Sequence, residues 1–392
     1  MQYRVDPVTG NKLSVLGFGC MRFPRNITID IAATEKLILR AIDLGVNYFD
    51  TAYIYLGSEQ ALGEVIKRNP EIRDKMYIAT KLPHTQCKTY EDFERIFQEQ
   101  LQRLNLTYID YYLIHNVPDI QAWSRVVNLG IERWISDKKA SGEIRSIGFS
   151  FHGTQASFMQ ILDAYPWDFT QIQYNYMNEN YQAGRAGLEK AYRKGIPVII
   201  MEPLLGGKLA TGLPNRAEKL IHSYKPQKSP ASWALSWLLN HKEVTLLLSG
   251  MNRMDQVEEN ILTCDQVQVD SMCSAEIDMI SSVKQILEES YKVPCTGCEY
   301  CLPCPFAVNI PGCFAAYNAR YANGLITGFT QYFTGTNALH SKNHTRVSRC
   351  TKCGVCVNKC PQHIKIPEEL EKVKRKMEPL YVRLIMKIAA RG

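Results

Sequence analysis

The 392-residue chain has no long apolar run, no low-complexity tract, no repeat of solenoid period and no block of like charge. Its longest apolar stretches, 196–201 and 244–248, fall well short of the roughly 20 residues that a membrane-spanning helix needs. The first residues, 1–12, are polar and lack the apolar centre of a signal peptide. The expectation is therefore a soluble, cytoplasmic protein with no transmembrane segment. The formal charge of +7 is modest for this length, and Lys and Arg alternate with acids along most helical stretches. That pattern gives no footprint for nucleic acid.

What is present is an ordinary globular composition, 45% apolar and 22% charged. The length exceeds the roughly 250 residues of a typical (β/α)8 barrel, which leaves room for a second, smaller domain. Cysteine is the unevenly spread residue. Cys20, Cys87, Cys264 and Cys273 are scattered, and the other nine of the 13 crowd between Cys295 and Cys360. In a reducing cytosol such crowding argues for metal binding over disulfides.

From Leu13 to about Thr263, short apolar runs alternate with longer stretches of helical period, the pattern of parallel strands joined by helices. The runs predict strands over 14–19, 47–50, 76–80, 108–114, 144–150, 170–174, 197–201 and 244–249, with helices such as 58–67 and 90–104 between them. Eight such pairs fit a closed α/β barrel, the (β/α)8 TIM barrel, better than an open sheet. After about Ser281 the alternation gives way to Cys/Pro-punctuated turns. The expected division is a barrel over 1–284 and a second domain over 285–392. Residues 367–390 read as one helix with Leu370, Val373, Met377, Leu380, Leu384 and Ile388 on one face.

In such a barrel the active site gathers at the C-terminal ends of the strands, which singles out Asp50 with Tyr55, Lys81 and His115. Taken singly, each has a structural reading: a rim ion pair, a packing ring, a satisfied strand-end histidine. Together they form a pattern. The segment Phe49–Glu59 resembles the stretch after the second strand of the aldo/keto reductases, where an Asp and a Tyr stand five residues apart. Ala79-Thr80-Lys81 resembles that family's third-strand lysine, and Tyr112-Leu113-Ile114-His115 its fourth-strand histidine. Matches recur from Leu16 to Asn260.

The resemblance implies reduction of a carbonyl or related polar group of a small-molecule substrate. Hydride addition needs a proton at the oxygen, and Tyr55 is the candidate acid. A free phenol titrates near ~10, and an adjacent ammonium, here Lys81, stabilises the phenolate. Asp50 would hold Lys81, and His115 would orient the carbonyl oxygen or share the proton transfer.

For the cofactor, Ser150 and Gln171 match family positions that hold the nicotinamide carboxamide, although Phe151 replaces a frequent Asn. Met201 stands where many members stack an aromatic ring. Ser249, Gly250 and Arg253, with Gln256, Glu259 and Asn260, resemble the loop and helix start that bind the adenosine 2′-phosphate, which favours NADP(H) over NAD(H). The plainer alternative leaves Arg253 on a solvated first turn. Gly17-Phe18-Gly19 begins like a dinucleotide fingerprint, but Arg22 replaces the third glycine, so it reads as a packing turn.

The cysteines form two runs, Cys295-x2-Cys298-x2-Cys301-x2-Cys304-Pro305 and Cys350-x2-Cys353-x2-Cys356-x3-Cys360-Pro361. The second is the bacterial ferredoxin pattern, in which three thiolates wrap one cluster and the fourth turns away to ligate the other. Applied here, it implies one [4Fe-4S] cluster on Cys295, Cys298, Cys301 and Cys360, and a second on Cys350, Cys353, Cys356 and Cys304. The first run has two residues, not three, before its last cysteine, so Cys304 or the spare Cys313 completes the second set. The Tyr- and Phe-rich insert 314–348 resembles the mainly helical, ferredoxin-like iron–sulfur domains that accompany some barrels of this family. Zinc competes as the metal, but two runs of four are redundant for zinc and complete for two cubanes. His363 is not read as a ligand.

Hydride moves two electrons together, whereas a [4Fe-4S] cluster takes one. Direct exchange needs a mediator such as a flavin, which the sequence leaves open and for which it shows no fingerprint. The clusters could be structural, sense redox state, pass electrons singly to a substrate or dock a ferredoxin-type electron partner. The competing function is an electron-transfer or redox-sensing protein whose barrel binds nucleotide without carbonyl turnover.

Overall fold

The structure, a computed structural model, describes residues 1–339 and 344–389. A hairpin of β1 (Tyr3–Val5) and β2 (Lys12–Ser14) opens the chain. Eight parallel strands follow: β3 (Leu16–Gly19), β4 (Tyr48–Asp50), β5 (Tyr77–Leu82), β6 (Ile109–Ile114), β7 (Ile144–Phe151), β8 (Phe169–Gln173), β9 (Val198–Met201) and β10 (Leu246–Ser249). They close in chain order, β10 pairing with both β9 and β3. All eight strands expected from the apolar runs are present. Both faces of each strand are covered, which is why the runs are nearly continuous in apolar residues. The hairpin was not foreseen, because three-residue strands carry no readable period.

Tyr48, Ala79, Tyr111, Leu113, Phe169, Ile199, Leu246 and Leu248 fill the barrel interior with Leu13. The Tyr111 ring packs 5.1 Å from both Tyr48 and Phe169, and its hydroxyl donates to Asp6 Oδ2 at 2.8 Å. Asn11 Nδ2 donates to the same hydroxyl at 3.1 Å, so the hairpin loop caps the N-terminal mouth. Gly17 belongs to β3 itself, and a Cβ there would meet Leu248 at 2.8 Å. The glycine-rich stretch serves packing.

Local signals set the helix ends. Tyr90–Leu104 starts with a capping box between Thr89 and Asp92 and stops at Asn105 in the left-handed region, φ 54°. Asp30, Asp119 and Thr154 each cap another helix by accepting a backbone N–H three residues on.

The chain forms two compact units, Met1–Leu204 with Ala231–Cys273 and Leu205–Pro230 with Ser274–Gly392. The segment Leu205–Pro230, which lies between β9 and β10 in the chain, packs with the C-terminal unit. Its helix Asn215–Tyr224 lies against helix Ser274–Ser290. The rest of this unit is helical: Ile310–Ala322, Leu325–Gly335, Ile366–Met377 and Leu380–Ala389. Its core joins Cys313, Phe314, Tyr332, Val347, Leu370 and Met377.

The single C-terminal helix expected from the sequence is two. Pro379 lacks the N–H that would continue the first. Leu370, Val373 and Met377 are buried as expected, but Leu380 and Leu384 are 84% and 60% exposed, and the second helix buries Val382 and Met386 instead. The side chain of Ile388 lies outside the described residues. Among the described residues no helix is long and apolar enough to cross a membrane.

Candidate active site and cysteine centres

At the C-terminal end of β4, the Asp50 carboxylate accepts from Lys81 of β5, Nζ to Oδ1 2.5 Å, and from Gln171 of β8, Nε2 to Oδ2 2.9 Å. Lys81 Nζ also donates to the Thr51 carbonyl at 2.7 Å. The ammonium lies 5.0 Å from the centroid of the Tyr55 ring, and that ring meets His115 edge-on at 6.0 Å. The four residues singled out from the sequence therefore converge. Lys81 is 1% exposed and Asp50 4%, so the pair interacts where water screens little.

His115 is buried, and its Nδ1 has no hydrogen-bond partner among the described residues. Burial, then the neighbouring Lys81, His152 and His84, hold this imidazole well below its ordinary value. It is a neutral ring at neutral pH. His84 follows β5 and is locked: Arg125 Nη2 donates to Nδ1 at 3.0 Å, so Nε2 carries the proton and donates to the Asn116 carbonyl at 3.1 Å. His152 follows β7 and pairs through Nδ1 with Gln182 Oε1 at 3.0 Å.

These two histidines escaped the sequence reading, because nothing in their spacing marks them. Being polar just past a barrel strand was the available signal. Gln173, at the end of β8, was also missed: it is fully buried, and both amide atoms lack partners among the described residues. Glu202 follows β9 with φ 54°, and burial, offset in part by Arg22, pushes its carboxyl up to about 7.

On the expected nucleotide side, Ser150 Oγ accepts the Asn116 N–H at 2.8 Å, and Ser150 and Gln171 are direct neighbours across β7 and β8. Met201 ends β9 beside Gln173. Ser249 ends β10 and its hydroxyl accepts from Asn260 at 3.1 Å, both residues being buried. Gly250 is exposed just beyond. Arg253 stands at the N-terminus of helix Met254–Gln266, with its guanidinium forked onto Asp255, Nε to Oδ1 2.9 Å. Gln256 accepts the Asn252 N–H at 3.0 Å, and Glu259 accepts from Ser232 at 3.3 Å. Ser249, Gly250 and Arg253 thus fall at one strand end and the helix start after it, and Ser249, Arg253, Gln256, Glu259 and Asn260 each have a protein partner.

In the C-terminal unit, Cys295, Cys298, Cys301 and Cys360 line one cavity with Pro361 and Phe314. Burial and then repulsion from Cys295, Cys298 and Cys360 raise the Cys301 thiol to about 12. Cys356 is raised too, by burial and by Cys350, Cys304 and Cys353. Cys360 of the second run thus lies at the cavity of the first, and Cys304 of the first run is within electrostatic reach of Cys356. Cys313 is fully buried in the helical core.

The sequence model of the Aldo/keto reductase family matches residues 15–282, and that of a 4Fe-4S dicluster domain matches 294–364. The chain is 29% identical to a 6-dehydroglucose reductase of Novosphingobium aromaticivorans, over 64% of this chain and 86% of the relative. It is also 29% identical to an L-galactose dehydrogenase of Arabidopsis thaliana, over 71% and 92%. Among solved structures it resembles an aldo-keto reductase of Bacillus halodurans in its holo form, with TM-score 0.60, 22% identity and coverage of 72% and 96%. An aldo-keto reductase of Klebsiella pneumoniae in complex with NADPH superposes with TM-score 0.59 at 21% identity, covering 72% and 95%. At these identities the structural likeness speaks for the fold.

Proposed function

This chain belongs to the aldo/keto reductase family, and from that premise we propose an NADPH-dependent oxidoreductase that reduces a carbonyl or related polar group of a small molecule, with two [4Fe-4S] clusters in its C-terminal domain. The observation that carries the reading is the convergence of Tyr55, Lys81, Asp50 and His115 at one strand-end cluster. Among the described residues the amide of Gln173 and Nδ1 of His115 have no partner, which fits a mouth built to receive a polar ligand.

Ser150, Gln171 and Met201 would hold the nicotinamide end, and Ser249, Gly250 and Arg253, with Gln256, Glu259 and Asn260 nearby, the adenosine phosphate end. When bound, NADPH supplies the hydride. Tyr55 gives the proton to the substrate oxygen, and Lys81 stabilises the phenolate left behind. Asp50 keeps Lys81 in place. Neutral His115 orients the oxygen without placing a second full charge beside Lys81. Cys295, Cys298, Cys301 and Cys360, and Cys350, Cys353, Cys356 and Cys304, would hold the two clusters, which would supply single-electron exchange with a ferredoxin-type partner.

The test is anaerobic NADPH oxidation against a panel of aldehydes and ketones. Tyr55→Phe should lower turnover by roughly 10²–10⁴-fold while NADPH affinity stays within about twofold. Equal turnover in the variant would overturn the assignment of Tyr55.

A further inference from the structure

We propose that the C-terminal unit rests on an anionic lipid surface, through an exposed apolar face shared by helices Leu325–Gly335 and Leu380–Ala389 and flanked by Lys and Arg. Each helix is tied to the core of its unit on one side. In the first, Tyr332 is fully buried, and a Cβ at Gly328, one turn earlier, would fall 2.7 Å from Arg320 Cα. The second buries Val382 and Met386. Each carries a further apolar side that faces solvent. Ile326 is 82% exposed and Tyr381 57%, and Leu325, Leu380 and Leu384 are exposed with them. Phe329 joins the two helices, its ring edge-on to Tyr381 with centroids 6.5 Å apart. Helical spacing sets Leu325 and Ile326 one turn before Phe329 on its side, and Leu384 one turn after Tyr381. These residues therefore form one face.

The charge around this face selects what covers it. Residues 300–392 hold 14 Lys and Arg against four Asp and Glu, an excess of ten where the whole chain has +7. Between Glu299 and Glu368 there is no acid. Negatively charged clusters on the cysteines would offset part of that excess. The acids near the last two helices are engaged: Glu369 with Lys372 at 2.6 Å, Glu371 with Lys352 at 3.3 Å, and buried Glu378 with the Tyr332 hydroxyl at 2.5 Å. From Lys372 to Ala389 the sequence has six bases, with Glu378 as the sole acid. Of these bases, Arg375, Lys376 and Arg383 are exposed. Arg320 adds a cation at the edge, its guanidinium 5.4 Å from the Phe329 ring centroid and donating to the Lys376 carbonyl at 2.8 Å.

An acidic protein would need a shaped pocket for each Leu or Ile that stands so far out. A bilayer interface takes up protruding aliphatic side chains without such matching, holds a Tyr ring at headgroup level and attracts Lys and Arg to its phosphates. A basic amphipathic helix with its apolar side turned outward has this character. The contact lies on the surface, since among the described residues no helix is long and apolar enough to cross a membrane.

The experiment is flotation of the anaerobically purified full chain with vesicles of phosphatidylglycerol and phosphatidylcholine in equal parts, and with vesicles of phosphatidylcholine alone. The chain should float with the first and not the second, and added salt should release it. Leu380→Gln/Leu384→Gln should weaken binding by more than about tenfold. Arg375→Gln/Arg383→Gln should weaken it on the order of tenfold. Ile326→Gln, in the neighbouring helix, should weaken it too, an effect that the last helix acting alone would not produce. Unfolding temperature and iron content should match wild type in all three variants, because the replaced side chains are exposed. No flotation with the anionic vesicles, equal flotation with both kinds, or variants that float as wild type does would overturn the inference. Binding of an acidic ferredoxin, or pairing of two copies of the chain, that depends on these residues while vesicles are ignored would also overturn it and assign the face to protein.

Discussion

Gln171 donates to Asp50 from the far side of the barrel, Nε2 to Oδ2 2.9 Å, while Lys81 holds the other carboxylate oxygen at 2.5 Å. Asp50 thus has one side-chain donor on each oxygen, from β5 and β8, and each fixes the other's direction. The position expected to meet the nicotinamide carboxamide and the lysine expected to charge Tyr55 share one anchor. A shift at either would be felt at both.

That sharing makes the ion pair a test of packing as well as chemistry. Asp50→Asn leaves the buried Lys81 ammonium without a counter-charge, a loss of about 3–5 kcal/mol. Lys81→Met leaves the carboxylate with Gln171 alone. The double variant Asp50→Asn/Lys81→Met should be more stable than either single one, as read by thermal unfolding of the barrel unit. Additive losses would mean that the two groups do not act as a pair.

The depressed imidazole of His115 has a pH consequence. Its folded value lies below the ~6.5 of an unfolded histidine, so the unfolded chain binds more protons below that pH. Stability should be level above about 6.5 and fall as the pH drops toward 5. His115→Asn should remove part of the slope and leave the part that His84 and His241, also depressed chiefly by burial, contribute. Denaturation midpoints between these pH values measure it; identical slopes in wild type and variant would contradict the sign argued here.

Much of this was readable from the sequence because each barrel strand is buried on both faces and shows as a short apolar run, with its polar residues gathered at one end. Asp50, Tyr55, Lys81 and His115 were visible for that reason. His152, Gln173 and Glu202 were not, since a single polar residue past a strand has no period. The stripe through Leu380 and Leu384 misled because one helical period was carried across Pro379, where the second helix starts with a new phase and buries Val382 and Met386. The segment Leu205–Pro230 has an ordinary helical composition, and nothing local marks that it packs with the cysteine unit.

Arg253 bears on nucleotide choice. Its guanidinium is forked onto Asp255 at the exposed start of helix Met254–Gln266, and both side chains are about two-thirds exposed, 67% and 64%. An exposed pair of this kind is worth only about 0.2–1 kcal/mol, so a 2′-phosphate can displace Asp255. Asp255→Asn should tighten NADPH binding by roughly two- to fivefold and leave NADH unchanged. Arg253→Ala should weaken NADPH alone. Fluorescence titration with both nucleotides decides it: equal effects on the two would remove Arg253 from the phosphate site.

The grouping of the cysteines predicts which of them the iron needs. Cys304 falls with Cys350, Cys353 and Cys356, whereas Cys313 is enclosed in the helical core among Phe314, Tyr332 and Val347. Cys304→Ser should therefore cost one cluster, taking iron from about eight to about four atoms per chain, with one of two reduced-state resonances lost. Cys360→Ser should cost the other cluster, because Cys360 lines the cavity of Cys295, Cys298 and Cys301 and is proposed as their fourth ligand. Cys313→Ser should keep the full iron count and lose some stability, since it places a hydroxyl in an apolar site. If Cys313→Ser loses iron and Cys304→Ser does not, the second group closes through the helix rather than through the run that ends at Pro305, and the crossed arrangement fails for that cluster.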